Sequence, residues 1–220
     1  MANPNKERRS LAPFEIREEG DGMIKVSGHA AVFDQEANIG GMFREVVRKG
    51  AFREALKVSE TPFLINHDDL PLARTGSGTL KLSEDNIGLR VEASLDPTDP
   101  DVQRIVPKMK RGDLDKMSFA FSVDDGGQDW TQDDEDMIPL REITKVKRLF
   151  DVSIVTSPAY EGTDIAMRSL DEKREAEKEK AERERRRKNF VSFSIRKLKE
   201  VDLAKRGKRP GQKDGAENAA

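Results

Sequence analysis

Cysteine is absent from the sequence, which rules out a disulfide framework, a thiol nucleophile and any Cys-ligated metal. Histidine is nearly absent: His29 and His67 are the only two, so any imidazole chemistry must use one of them. Aromatic residues make up 5% of the chain, too few for an extended base-stacking surface. No run of about 18 apolar residues occurs, and the N-terminus lacks the apolar segment of a secretion signal. The expectation is a soluble cytosolic protein.

Charge is what the chain has in abundance. Of its 220 residues 37% are charged and 35% hydrophobic, a ratio that implies a core confined to one segment and a solvated remainder. Residues 1–167 carry 22 Lys and Arg against 31 Asp and Glu, a balance of −9, whereas residues 168–220 carry 18 against 11, a balance of +7. An acidic body is followed by a basic tail.

Apolar periodicity divides the chain further. Residues 1–12 show no pattern and are expected to form a flexible leader. Phe14 and Ile16, the run from Met23 to Phe33, Phe43 to Val47, and Pro62 to His67 read as strands; residues 50–56 open a short helix. Leu80 to Leu82 and Leu89 to Leu95, alternating across a Ser-Glu-Asp-Asn turn, form the clearest hairpin. From Asp99 the period lengthens to 3.6, with Val102, Ile105, Val106 and Met109 on one helical face, a stop at Gly112 and a break or kink expected at Pro107. A strand over residues 116–122 follows, then an acidic insert over residues 124–136 expected to be a mobile loop, then strands through Thr156. The pattern predicts a β-rich α+β domain over residues 13–168, a barrel or sandwich with few helices. Residues 169–200 read as a solvated charged helix supported by pairs four apart, such as Glu182 with Arg186, and residues 201–220 as a disordered basic tail.

Serine attack on a carbonyl needs a base and a group that orients the base. His29 lies inside a strand and reads as a packed surface residue. His67 closes an apolar strand and faces polar residues, a place where an imidazole can be partly desolvated and still reach a substrate. Ser118 and Ser122 share one face of their strand, with Phe119 and Phe121 on the other. Asp151 sits in an apolar run where a carboxylate needs a partner, and Glu142 and Asp68 are its rivals as the orienting acid. The run His67-Asp68-Asp69 lacks a second convergent histidine, so no metal site and no cofactor is expected.

Taken together, Gly28-His29-Ala30-Ala31-Val32-Phe33, Gly50-Ala51-Phe52, Asn66-His67-Asp68, Gly78-Thr79-Leu80, Arg111-Gly112-Asp113-Leu114, Met117-Ser118-Phe119-Ala120-Phe121 and the block from Asp151 to Tyr160 resemble the prohead maturation proteases of tailed bacteriophages. The resemblance spans about residues 13–168, in order. It implies a serine endopeptidase with Ser118 as nucleophile, His67 as base and Asp151 in the third position, where the family commonly has Glu. It further implies a fold similar to the herpesvirus maturation proteases, a β-barrel surrounded by helices. The implied location is the host cytoplasm, inside the assembling prohead. Implied partners are the phage major capsid protein and scaffold as substrates, the enzyme itself as a further substrate, and the portal as a neighbour. Two alternatives stand beside this reading: a non-enzymatic scaffolding protein with a basic interaction tail, and nucleic-acid binding by that tail. Nucleic acid is disfavoured, because the tail's Lys and Arg are interleaved with Glu. Oligomeric state is not legible in the sequence.

Overall fold

The computed structural model describes residues 6–18, 22–131, 138–156 and 163–206. Its first strands are β1 (Glu7–Glu18), β2 (Ile24–Val32), β3 (Ala37–Ile39) and β4 (Phe43–Val47), followed by a single helical turn, α1 (Ala55–Val58). Next come β5 (Pro62–Ile65), β6 (Asp68–Arg74), β7 (Leu80–Glu84), β8 (Gly88–Leu95) and the helix α2 (Pro100–Arg111). Then follow β9 (Lys116–Val123), β10 (Gln128–Thr131), β11 (Leu140–Ile143), β12 (Val146–Val155) and the long helix α3 (Thr163–Arg206).

Strand pairing builds the order β6-β5-β12-β9-β1-β2-β8-β7, beside a smaller sheet β10-β11-β4-β3. β1 joins two ladders: residues Glu7 to Pro13 pair with β9, and Phe14 to Glu18 pair with β2. The larger assembly is therefore two sheets sharing one strand, with the small sheet as a third. Among the described strands no ladder joins β6 to β7, so the expected barrel is not closed. The short helix expected to open over residues 50–56 is also shorter than its pattern suggested, and only Ala55–Val58 is helical.

The main core gathers alternate residues of these strands: Val26, Phe63, Val91, Met117, Phe119, Phe121, Leu149, Val152 and Ile154 among them. α2 closes it with Val102, Ile105, Val106 and Met109, the face its spacing predicted. Asp99 caps the helix by accepting from Asp101 N–H, and Pro100 occupies the first turn, where a missing N–H is harmless. At its other end Gly112, with φ 83°, donates to Met109 O while Asp113 donates to Lys108 O, the paired bonds of a Schellman stop. The break expected at Pro107 does not occur. That residue is exposed, and burial of the four apolar side chains plus two well-made ends outweigh the one hydrogen bond it removes.

Two further expectations are corrected. The leader expected over residues 1–12 enters β1 at Glu7, because Glu7 and Arg9 supply buried charge pairing where apolar periodicity was missing. The acidic insert contains β10, paired with β11, whose Trp130 packs edge-on against Phe43 with ring centres 5.2 Å apart. Residues 132–137 lie outside the described part.

Backbone contacts divide the chain into Met1–Leu170 and Asp171–Ala220. Within the first unit Leu170 is buried with Ile39, Phe43 and Trp130. In the second, α3 is charged and exposed; Glu182 accepts from Arg186 at 2.8 Å, as its spacing predicted, and Phe190, Val191 and Ile195 form an exposed apolar patch. The helix continues past residue 200 to Arg206, six residues into the expected disordered tail; residues 207–220 lie outside the described part. No described helix is long and apolar enough to cross a membrane.

Candidate active site

β5 and β6 are joined at Ile65 and Asp68 by a two-residue turn of Asn66 and His67, both left-handed with φ of 49° and 61°. Such turns match the twist of a hairpin but favour Asn-Gly, and a left-handed non-glycine residue costs roughly 1–2 kcal/mol. The turn is tied to β12 at two points: Asn66 N–H donates to Ile154 O at 2.9 Å, and Thr156 N–H donates to the Asn66 side-chain oxygen at 3.2 Å. These bonds fix where the His67 ring can lie.

The acid reaches that ring because of an irregularity in β12. Leu149 pairs with Phe121 and Asp151 with Ala120, so Phe150 is an extra residue, a β-bulge. The bulge reverses the alternation of faces. Leu149 stays in the core, whereas Asp151 and Ser153 move to the opposite face, the one that carries Ser118; Ser153 and Ser118 are direct partners.

On that face His67 Nδ1–H donates to Asp151 Oδ1 at 2.5 Å, and His67 Nε2 lies 2.6 Å from Ser118 Oγ. Ser153 Oγ–H donates to Asp151 Oδ1 at 2.9 Å and stands 3.2 Å from His67 Nδ1. Lys6 Nζ donates to Asp151 Oδ2 at 2.8 Å. Burial pushes the Asp151 carboxyl up, but the hydrogen bond and charge of His67, aided by Lys6, outweigh it and hold the group at about 2. Ser118 also donates to the Arg9 carbonyl oxygen at 2.6 Å and has 0% exposure.

The three residues singled out in the sequence are thus contiguous, and the shorter Asp side chain is long enough. Its rivals are elsewhere: Glu142 pairs with Arg48, and Asp68 is exposed on β6. Ser122 is buried further along β9, and His29 is occupied with Asp85 at 2.8 Å. Sequence reasoning missed Ser153 and Lys6. Ser153 was findable, standing two residues from Asp151 on the same strand; Lys6 was hidden in the unpatterned start.

Beside the site lies a set of four buried charges. Arg9 bonds Glu45 through Nε at 2.5 Å and Nη2 at 2.9 Å, and Glu7 at 2.8 Å. Arg141 bonds Glu7 at 2.5 and 2.8 Å and Glu45 at 2.9 Å. Burial raises the Glu45 carboxyl, yet Arg9 and Arg141 together hold it below its ordinary value.

A Ser–His–Asp line with a single defined imidazole tautomer can move a proton from hydroxyl to imidazole, the first requirement of acyl transfer. Compared with known proteins, residues 12–179 match the family model of the caudovirus prohead serine proteases. No curated protein and no solved structure matches the chain.

Proposed function

The chain belongs to the caudovirus prohead serine protease family, and from that premise we propose that it cleaves peptide bonds through Ser118, His67 and Asp151 during capsid maturation. The observation that carries the reading is the continuous line from Ser118 Oγ through both ring nitrogens of His67 to Asp151. Asp151 keeps the proton on Nδ1, which leaves Nε2 to accept the Ser118 proton as Oγ attacks the scissile carbonyl. The imidazolium then protonates the leaving amine, giving the acyl-enzyme. Water activated by the same imidazole releases the acid. Asp151 takes the role that Glu commonly has in the family.

The substrates we assign are the major capsid protein and its scaffold, with the enzyme itself as a further one, acting inside the prohead in the host cytoplasm. Neighbours there include the portal. The charged α3 and the basic residues after it would hold the protease in the assembling shell.

Incubating purified protein with a scaffold-coat fusion tests this. Wild type is expected to cut the fusion, and Ser118→Ala to lose at least about a thousandfold in rate. Equal cleavage by both would sink the assignment of Ser118 as nucleophile, and no cleavage by either would leave the non-enzymatic scaffolding role as the better reading.

A further inference from the structure

Ser118 has one hydroxyl proton and two acceptors for it, His67 Nε2 and the Arg9 carbonyl oxygen, each 2.6 Å away. A proton given to Arg9 is not available to the base. Ser118 is also wholly out of solvent, so a substrate carbonyl reaches it only when something packed there moves. Apart from His67, the group on its hydroxyl is the backbone of β1.

The start of β1 is built to exchange. Residues Glu7 to Pro13 pair with β9 alone; pairing with β2 begins at Phe14, and within the β9-paired half a register shift between Ser10 and Ala12 sets residues 7–10 apart. Besides its ladder with β9, the first half is held by side-chain charge: Glu7 on Arg141, Arg9 on Glu45, and Lys6 on Asp151. An empty slot would strip Glu45 of Arg9 and Arg141 of Glu7 in a buried setting, which is strongly unfavourable. A second strand with the same charges in the same places would restore every bond.

We propose that the slot along β9 beside Ser118 is the substrate-strand site, filled in this structure by residues 6–10 acting as an internal inhibitor. Substrates enter it as extended peptides with an acidic residue facing Arg141 and a basic residue two positions later facing Glu45. The carbonyl of that basic residue lies where the Arg9 carbonyl lies now, so cleavage follows the basic residue. This rests on Ser118 as the nucleophile.

The cysteine-free chain allows a direct test. In Arg8→Cys/Ala120→Cys, two facing positions of β1 and β9 can be joined by one disulfide in the full chain. Labelling of Ser118 by a fluorophosphonate is expected to be about tenfold or more slower in the oxidised protein than after reduction. Full-length Arg9→Ala is expected to label about tenfold faster than wild type, a gain that unfolding cannot give because an unfolded chain has no triad. The free peptide Lys-Glu-Arg-Arg-Ser-Leu should slow labelling of Arg9→Ala, and Lys-Arg-Arg-Glu-Ser-Leu should not. Equal labelling of oxidised and reduced protein, with wild type matching Arg9→Ala, overturns the proposal while leaving the protease reading intact. Equal effects of the two peptides overturn the charge pattern. No labelling in any form removes Ser118 as nucleophile, and this inference with it.

Discussion

Leu149 and Asp151 stand two residues apart on β12 and face opposite sides of the sheet. In a regular strand they would share a face, and Asp151 would point into the core opposite Phe119. The bulge at Phe150 brings the carboxylate to His67 and places Ser153 behind it.

Ser153 is consequently expected to act through Asp151 and His67. Ser153→Ala removes one hydrogen bond to an ionised carboxylate, worth about 1.5–3 kcal/mol, so kcat should fall roughly a hundredfold or less with KM unchanged. Asp151→Asn should lower kcat by about 10⁴, because the amide no longer enforces the Nδ1–H tautomer. Steady-state kinetics on a cleavable peptide separates the two; a KM effect for Ser153→Ala would argue against a positioning role.

The buried charge set predicts a specific non-additivity. Glu45→Ala leaves Arg9 and Arg141 short of a partner and should cost about 3–5 kcal/mol in urea unfolding. Arg141→Ala should cost a similar amount, and the double variant less than their sum, since the two charges bond each other and share Glu7 and Arg9 as neighbours. Additive losses would show that the four side chains do not work as a unit.

Acid should destabilise the domain in a defined window. Asp151, at about 2, and Glu45, held below its ordinary value, bind protons more readily in the unfolded chain, where carboxylates titrate near about 4. Groups depressed by folding contribute stability that is complete above the unfolded value and lost as pH falls through the folded one. Urea midpoints should therefore drop between about pH 4 and pH 2, and Glu45→Gln should flatten that limb. An identical acid limb in wild type and variant would remove Glu45 as a contributor.

Gly88 gives a prediction remote from the chemistry. A Cβ there would sit 1.8 Å from the Ala31 carbonyl oxygen, a backbone atom that cannot swing away. Gly88→Ala should destabilise by about 3 kcal/mol or more, read from the shift in Tm, because the β2–β8 ladder must open to accept it.

Much of this was legible beforehand, and the boundary has physical causes. Alternation revealed β7 and β8, since one face of each is buried, and the 3.6 period revealed α2 with its cap and stop. The start of β1 was not visible, because it is buried by charge pairing and carries no apolar alternation. Pro107 misled because propensity is local and the buried face of α2 is not. For the site, residue scarcity pointed to His67, and resemblance to Ser118 and Asp151. A bulge, which depends on how two strands slip past one another, leaves no mark in either strand's own pattern.

The turn at Asn66 and His67 separates two kinds of information in one dipeptide. Asn66 is the residue the turn itself would select, whereas His67 occupies the position where glycine would fold at least conformational expense. Selection for a stable hairpin alone would drift toward Asn-Gly. A histidine at such a position is accounted for by its ring's neighbours, Asp151 and Ser118, and a hairpin tip that departs from its own best sequence becomes a place to look for chemistry in chains with no structure in hand.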